Sequence, residues 1–486
     1  MKPYRIFYVA SQLAPLTGDD ALATETQLLV RALAECGADV MVAVPGTQVP
    51  NPTKFGLARR LDPVAVPGTG EHAAFESTIH EGKLGDGRVK ILAIDLPAVL
   101  EEDPTQASEG FCRAAVTIAH DLGLRPDAVI VGPGSEAALP LARAHMTRPQ
   151  PPTHQLAHGG DQAPITLYAL RERDDLEAIA SAVEHADWVV ASSPTDAAAL
   201  AARPDDDPLG GALGAARAKV VGATPGIDSQ SWDPRLDGLS YENPAESKAK
   251  HKHALQRELG LRSAQSPLLM AVGPFDDELV PPALWQALMQ SRNQVIIAAD
   301  AVRDASFCRR VEPLLQSGRG VIYQAANSAA LRAFEHRVLP GADFVLYPHA
   351  HSTSAPCQLH AMQYGTVPIA PRLATYADLL VDFDVRTCTG SGFLFTPGDG
   401  DSFAVALKQA LRTYRDPEAL STLRQRIATF DLSWRGAAMR YLEFIRTSLR
   451  ARNAQAHAAA SAALAASAQD SAASAPQDSA AAPASA

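Results

Sequence analysis

Short apolar runs alternate with amphipathic segments through the first half of the chain. The apolar runs predict strands at 4–10, 38–45, 89–94, 127–131 and 188–192. The segments between them carry apolar residues at helical spacing, and they predict helices that end near 33 and that span 107–122, 135–145 and 194–202. Strand–helix–strand repetition of this kind produces a parallel sheet covered by helices on both faces.

A second series of the same kind follows a segment rich in Pro, Asp and Lys at 204–267. Its predicted strands lie at 268–272, 294–298, 320–323, 344–347 and 367–370, and a helix at 244–259 opens it. A chain of 486 residues is too long for one hydrophobic core. We therefore expect two α/β domains, at 1–240 and 241–450.

The end of the chain has a different composition. From Ala454 onward it is almost entirely Ala, Ser, Gln, Asp and Pro. Alanine favours helix, so a frayed helix is expected near 454–466. Few large apolar residues remain to be buried, and the segment 451–486 is therefore predicted to be a disordered tail.

Charge and composition exclude several classes of protein. A net charge of −11 argues against a protein that binds the phosphate backbone of a nucleic acid. The five cysteines form no C-x-x-C pair, which favours free thiols over disulfides or a zinc site. We find no leader peptide and no apolar run of about 20 residues, the length that a membrane helix needs. The expected location is the cytoplasm.

Common catalytic motifs are absent as well. The sequence contains neither the G-x-S-x-G of a nucleophile elbow nor the G-x-x-x-x-G-K-[ST] of a phosphate-binding loop. The run 132–134, Gly-Pro-Gly, fits no phosphate motif in its spacing and is interpreted as an ordinary turn.

Five segments, taken together, carry a resemblance to a known family. They are TPGIDSQSWDP at 224–234, KHKHALQRELGL at 250–261, GADFVLYP at 341–348, QLHAMQYGTVPI at 358–369 and GSGFLF at 390–395. With them, the chain from about 4 to 450 resembles the bacterial glycogen/starch synthases, glycosyltransferase family 5. The resemblance implies the GT-B fold, in which two doubly wound α/β domains face a cleft and ligands lie beyond the carboxyl ends of the strands.

The resemblance also implies an activity. Members of the family transfer glucose from ADP-glucose to the non-reducing end of an α-1,4-glucan with retention of configuration. The reaction uses no metal and no other cofactor, so cations and backbone N–H groups must stabilise the departing diphosphate. ADP-glucose and the glucan are thus the implied ligands, and the sequence identifies no protein partner.

The first loop departs from the family pattern. Gly18 stands where the family has a lysine, and Asp20 with Ala21 stands where it has paired glycines. Asp19 and Asp20 therefore bring negative charge to a place that receives phosphate in the family, which should weaken binding. Gly18, Asp19 and Asp20 are the expected substrate-binding positions of this loop.

The second domain departs from the pattern in the same way. Pro274 replaces a family arginine and Leu279 a family lysine. Ala374 and Thr375 replace a late glycine pair, where β-carbons now crowd a backbone that the ligand approaches closely. Arg372 remains as a candidate cation. Arg372, Ala374 and Thr375 complete the expected substrate-binding set.

Two positions are the catalytic candidates. His154 matches the histidine of the family's T-x-H-N loop, which lies near the donor sugar, and Gln155 follows it as a substrate-binding candidate. A buried or capping histidine at the end of a strand is the alternative for His154. Ser352 matches the family glutamate beside the sugar; a serine can hydrogen-bond a hydroxyl but cannot stabilise a cationic sugar by charge.

Three functions therefore stay open at this point. One is the family's glucosyl transfer, which the scaffold segments favour. Another is a catalytically impaired homologue that binds a glucan or a protein as a regulator or scaffold, which the substituted loops favour. The third is an altered donor, in which the cleft takes a different sugar nucleotide or a neutral ligand.

Overall fold

The computed structural model describes residues 2–18, 20–68, 72–85, 87–146, 163–171, 176–236, 244–273, 282–299, 305–347, 356–373 and 377–473. These residues form two sheets, each covered by helices on both faces. The strands expected from the apolar runs are present in both sheets. The α/β class predicted from the sequence is therefore confirmed.

The first sheet is parallel at its centre and antiparallel at one edge. Its strands are β1 (Arg5–Val9), β2 (Asp39–Pro45), β3 (Ala58–Arg59), β4 (Val64–Val66), β5 (Phe75–Leu84), β6 (Val89–Asp95), β7 (Ala128–Val131), β8 (Ile165–Ala169), β9 (Trp188–Ala191) and β10 (Val220–Gly222). The order is β10-β9-β8-β7-β1-β2-β6-β5-β3, and β4 pairs with β5. β7 and β8 are buried along their whole length, as continuous apolar runs in a two-sided sheet should be.

Polar residues set where the helices of the first unit begin. The helices are α1 (Ala21–Glu35), α2 (Ala98–Glu101), α3 (Pro104–Asp121), α4 (Ala138–His145), α5 (Leu176–His185), α6 (Pro194–Ala201) and α7 (Pro208–Leu213). The side chains of Asp20, Asp103 and Ser193 cap α1, α3 and α6 by accepting hydrogen bonds from first-turn N–H groups. Proline follows the cap in α3 and α6, where its missing N–H is not needed.

The second sheet is entirely parallel. Its strands are β11 (Leu268–Val272), β12 (Gln294–Ala299), β13 (Gly320–Gln324), β14 (Phe344–Leu346), β15 (Val367–Pro371) and β16 (Phe393–Phe395). The order β13-β12-β11-β14-β15-β16 places the first strand of the series in the middle, which is the arrangement of a doubly wound sheet. The helices are α8 (Pro244–Glu258), α9 (Pro282–Gln290), α10 (Ala305–Gln316), α11 (Ser328–Val338), α12 (Pro356–Gln363), α13 (Gly400–Tyr414), α14 (Pro417–Ala428) and α15 (Arg435–Ala473).

The chain crosses between the two units twice, and the two crossings lie side by side. The amide of Ile227 donates to the carbonyl of Leu432 over 2.8 Å. A Cβ on Gly226 would lie 2.4 Å from the carbonyl carbon of Ser433, so only glycine permits this approach. Beyond the crossing, the ring of Trp232 stacks on His360 of the second unit with centroids 3.6 Å apart. The two crossings therefore hold the second unit against the first.

The last helix returns to the first sheet. Trp434, Tyr441 and Ile445 belong to the hydrophobic core that covers β1 and β2. Trp188 Nε1 donates to Ser448 Oγ over 2.7 Å, and Arg452 donates to Asp187 over 2.9 Å. The second domain predicted from the sequence extends to residue 450. In the structure, the part of α15 from 435 to 452 packs on the first unit.

α15 also continues to Ala473, through much of the segment for which composition indicates disorder. The reason is the alanine content, because alanine has the highest intrinsic helix propensity. Among the residues that the structure describes, no helix is long and apolar enough to span a membrane.

A buried charge network fixes α8 to the second sheet. Lys252 Nζ lies 2.6 Å from Asp343 Oδ2, and Arg424 Nη2 lies 2.7 Å from Asp343 Oδ1. Burial alone would raise the pKa of Asp343, but Arg424 and Lys252 outweigh it and hold that pKa below its usual value. The two cations and the carboxylate therefore stabilise one another where none of them could remain unpaired.

Lys248 stands one helical turn before Lys252 on α8. Its ammonium donates to the carbonyls of Leu339 and Tyr364, which follow α11 and α12, and to the hydroxyl of Thr366. Helix carboxyl ends carry partial negative charge, so they compensate a buried cation. Burial and the nearby Arg424 still hold the pKa of Lys248 well below its usual value.

We predict that the described part of the tail contributes little to stability, whereas the start of α15 contributes much. Truncation after Asn453 should change the free energy of unfolding by less than about 0.5 kcal/mol, since the side chains described in the part that is lost, at 454–458 and 461, are exposed. Tyr441→Ala, at a residue that is 2% exposed, should lower it by about 3–5 kcal/mol. Urea titrations monitored by tryptophan fluorescence measure both. An equal loss in the two variants would contradict this assignment of α15.

A second prediction concerns Asp343. Asp343→Asn should lower the free energy of unfolding by about 3–5 kcal/mol at pH 7, because it leaves the buried Lys252 and the partly buried Arg424 without their counter-charge. The folded-state pKa of Asp343 is lowered, so its contribution is present above the unfolded-state pKa of about 3.9 and is lost as the pH falls through the folded value. The gap between wild type and variant should therefore close in acid. Denaturation at a series of pH values tests this, and a gap that is constant with pH would contradict it.

Candidate functional site

The topology places one crevice in each sheet. In an open α/β sheet, ligands bind beyond the carboxyl ends of the strands where the strand order reverses. That point lies between β1 and β7 in the first sheet and between β11 and β14 in the second. The loops that follow these four strands are therefore the candidate site.

A large cavity occupies the crevice of the first sheet. Its volume is about 930 Å³, and residues from the loops after β1, β7 and β8 line it together with residues of α1, α3 and α5. This volume lies within the range of small-molecule and cofactor sites, roughly 300–1,000 Å³.

Side chains and carbonyls tie the loops of this crevice together. Ser11, after β1, donates to the carbonyl of Pro133, after β7, over 2.6 Å. Ser108 of α3 donates to the carbonyl of Gly134 over 2.9 Å, and the amide of Gly134 donates to Glu136 over 2.8 Å. Because its amide is used internally, the Gly-Pro-Gly run is a turn, as expected, and does not present that N–H to a phosphate.

Glu136 is the central carboxylate of the cavity. Its Oε1 atom also accepts a hydrogen bond from the hydroxyl of Tyr168 over 3.1 Å. Glu136 is 7% exposed and Tyr168 is fully buried in the middle of β8. The carboxylate is therefore held in one orientation where it lines the cavity.

Arg171 is the cation of this cavity. It follows β8, and its Nε atom lies 3.2 Å from Glu25 Oε2 of α1. Burial would lower the pKa of Arg171, but Glu25, Tyr441 and Tyr8 outweigh burial and raise it. The two tyrosines are themselves buried, and burial raises the pKa of Tyr441 to about 12. Arg171 is thus a fixed positive charge held at the carboxyl end of the sheet.

Carboxylates outnumber cations around this cavity. Glu25, Glu109, Glu136 and Glu177 line it, against Arg171. Carboxylates accept hydrogen bonds from hydroxyl groups but repel phosphate. The cavity therefore suits a neutral, hydroxyl-rich ligand. Within the described ranges, no group of three or more His, Cys, Asp or Glu side chains is arranged to hold a metal ion.

A first-turn N–H group of α1 already binds a carboxylate of the chain itself. Asp20 Oδ1 accepts from the amide of Ala23 over 2.9 Å, so the helix is capped by the chain's own carboxylate. A diphosphate at this helix end would have to compete with it, since anions bind helix N-termini through the same N–H groups. Gly18 has φ of 145°, a conformation that a lysine would adopt only under strain. The expected substrate-binding role of Gly18 and Asp20 stays a prediction.

Arg372 is placed after β15, at the carboxyl edge of the second sheet. Its guanidinium pairs with Asp382, whose other oxygen accepts from the amide of Leu394 over 2.7 Å. The candidate cation of the second unit is therefore held by a carboxylate. The remaining expected positions, Asp19, His154, Gln155, Ser352, Ala374 and Thr375, lie outside the described residues, as do Pro274 and Leu279.

Sequence reasoning missed Glu25, Glu136 and Arg171. The apolar run Ile165–Ala169 could have located Arg171, which follows it. This run forms β8, but it was not among the predicted strands. With that strand recognised, Arg171 falls at a strand's carboxyl end beside the crevice. Glu136 and Glu25 had no such signal, because both appear within ordinary helical patterns.

The comparisons with known proteins agree with this architecture. No family model matches the sequence. Glycogen synthase 2 of Geobacter metallireducens is 26% identical over 490 residues, which cover 91% of this chain and 98% of that protein. The glycogen synthase of Syntrophotalea carbinolica is 29% identical over 309 residues, which cover 61% of this chain and 62% of that protein. The resemblance to bacterial glycogen/starch synthases is confirmed along nearly the whole chain.

A solved structure gives the same result for the fold. The catalytic domain of starch synthase IV from Arabidopsis thaliana, bound to ADP and acarbose, superimposes with a TM-score of 0.70. The match covers 92% of this chain and 100% of that domain at 19% identity. At this identity the likeness concerns the fold, and it confirms the GT-B arrangement of two doubly wound sheets.

Proposed function

We propose that this chain, a divergent relative of the glycogen/starch synthases, is a retaining glucosyltransferase that moves glucose from ADP-glucose to the non-reducing end of an α-1,4-glucan. The observation that carries the proposal is the extent of the similarity: 91% of the chain aligns with a glycogen synthase, across both units and the connection between them. Both sheets also keep the strand order that opens a ligand crevice.

The acceptor is assigned to the cavity of the first sheet. A glucan is neutral and rich in hydroxyl groups, which donate hydrogen bonds to carboxylates. Glu136 is held for this role by Tyr168 and the amide of Gly134. The excess of carboxylates around the cavity therefore supports binding of a sugar.

The donor is assigned to the crevice between the two units, and its binding should be weak. Asp20 caps α1 with a negative charge, and Arg372 is paired with Asp382. Each charged contact absent from the departing diphosphate costs about 2–3 kcal/mol in the transition state. We therefore expect a high KM for ADP-glucose and a low kcat.

The alternative is a catalytically impaired homologue that binds a glucan or a protein. Relatives that align with about nine-tenths of the chain are named as glycogen synthases, which favours the transferase. We further propose a cytoplasmic location, because the described cysteines Cys36, Cys112, Cys308 and Cys388 are unpaired and free thiols persist in a reducing compartment.

The direct test is calorimetric titration with ADP-glucose, followed by a glucosyl-transfer assay on glycogen in the same preparation. We expect weak binding and slow transfer with retention of configuration. Glu136→Gln keeps the shape and the hydrogen bonds but removes the charge, and it should raise the KM for glucan without changing donor binding. Glucan binding with no transfer at any donor concentration would favour the alternative.

A second test isolates the charge at the start of α1. Asp20→Ser keeps a capping oxygen and removes the negative charge, so stability should change by only a few tenths of a kcal/mol. Affinity for ADP-glucose should rise by about threefold to tenfold, the effect of relieving one like-charge contact at partial exposure. Asp416→Ser makes the same exchange at the cap of α14 and should leave affinity unchanged, because the neighbouring Pro417 lines a pocket with Gln265 and Asp343, which precede β11 and β14. Equal affinities in wild type and Asp20→Ser would contradict the assigned place of the diphosphate.

A further inference from the structure

A smaller cavity lies at the amino ends of the strands of the second sheet. Its volume is about 300 Å³. Gln265 and Asp343 line it and precede β11 and β14, and residues of α8 and α14 supply most of the rest of its lining. Substrates of an open α/β sheet bind at the carboxyl ends of the strands. This cavity is therefore separate from the candidate site described above.

Positive charge exceeds negative charge among the described side chains that line this cavity. Lys248, Lys252 and Arg424 line it together with one carboxylate, that of Asp343. Lys248 is 4% exposed and Lys252 is 6% exposed, so water screens their charges little. Burial is the main cause of the lowered pKa of Lys248, and Arg424 comes next, ahead of the opposing effect of Asp343. The cavity therefore has a positive potential that attracts an anion.

Arg424 has hydrogen-bond donors that the buried charge network does not use. Its Nη2 atom donates to Asp343 over 2.7 Å, whereas its Nε atom is buried and makes no hydrogen bond. A guanidinium carries five N–H groups, so one carboxylate oxygen does not satisfy it. A buried donor without a partner is unfavourable, and an acceptor that reaches the guanidinium from the cavity would relieve this.

Neutral donors on α14 lie beside Arg424. Ser421 and Gln425 line the same cavity, and the positions 421, 424 and 425 share one face of the helix. Arginine recognises phosphate through paired N–H groups, and a hydroxyl and an amide can donate to the remaining oxygens. Pro417 and Leu420 add apolar contacts that suit the carbon part of an organic phosphate.

We propose that this cavity is a second binding site, which takes a small phosphate-bearing anion through Arg424. A phosphate group carries close to two negative charges at neutral pH, so together with Asp343 it would balance all three cations. The volume lies at the lower end of the range for small-molecule sites, which suits inorganic phosphate or a short phosphate monoester. The inference does not depend on glucosyl transfer, because the cavity is separate from the crevices at the carboxyl ends.

The test is isothermal calorimetry of the full chain with inorganic phosphate and with glycerol 3-phosphate, at an ionic strength fixed with KCl. We expect saturable binding with a Kd of about 1 mM or below, as two or more charge-assisted hydrogen bonds should give. Similar affinities would indicate recognition of the phosphate group alone. Tighter binding of glycerol 3-phosphate would indicate that the organic part also contacts the cavity. No saturable binding of either anion up to about 10 mM would overturn the inference.

Substitutions on α14 locate the bound anion. Ser421→Glu places a carboxylate beside Arg424 without removing a member of the buried network, and it should weaken phosphate binding about tenfold. Thr422→Glu adds the same charge at the next position, which is exposed and does not line the cavity, and it should change the affinity less than about twofold. Arg424→Gln should weaken binding about tenfold as well.

Ser421→Glu keeps the test decisive if the loss of the Arg424–Asp343 ion pair unfolds the chain. The affinity of Ser421→Glu for ADP-glucose should equal that of the wild type, because the two ligands bind at opposite ends of the strands. Equal phosphate affinities in the wild type, Ser421→Glu and Thr422→Glu would place the anion elsewhere and overturn the inference.

Discussion

The architecture depends on the close packing of two chain crossings between the sheets. Gly226 and Ser433 approach so closely that no side chain fits between them, and Ile227 bonds to Leu432 across the same place. Because the second crossing delivers α15 back onto the first sheet, the units are joined twice at one edge and are free to form a crevice elsewhere. The strand order of each sheet reverses once, which is why the carboxyl ends of β1, β7, β11 and β14 mark the candidate site.

A diphosphate needs positive groups that are available to bind it, and the charged side chains near the crevice do not provide them in that state. Two described cations near the crevice are held by carboxylates of the chain itself: Arg171 by Glu25 and Arg372 by Asp382. A paired cation offers less to a ligand than a free one, because binding must first weaken the existing pair. The same carboxylates suit sugar hydroxyls. The site is therefore better matched to the glucan than to the nucleotide.

The sequence predicted the fold well, whereas most of its predicted site residues lie outside the described residues and stay predictions. Short apolar runs such as 268–272 favour buried strands, so the pattern of these runs predicted the sheets. The run Ile165–Ala169 has the same character, but its significance depends on its neighbours β7 and β9, which only the sheet order reveals. The return of α15 to the first unit could not be predicted either, because local sequence does not state which core a helix covers.

Contacts between residues that are far apart in the chain could not be predicted from the sequence either. The resemblance supplied expected roles by position, and it pointed to Asp20 and Arg372, but it could not show that each is already engaged by the chain. Nor could it pair Thr195 with Asp378, whose contact depends on how the two units are placed.

Two opposing effects decide how well this crevice binds a nucleotide sugar. A cleft held closed before the ligand arrives has a larger fraction of binding-competent molecules, which raises apparent affinity. An exposed contact between the units, such as that of Thr195 with Asp378, contributes about 0.2–1 kcal/mol to holding them together. Each absent cation at the departing diphosphate costs about 2–3 kcal/mol in the transition state, and the first loop and the loop after β11 both lack the family's cations. The charge effect is larger, so preorganisation offsets only part of it. Under the proposed function, we therefore expect the donor side of the reaction, more than the glucan side, to limit transfer.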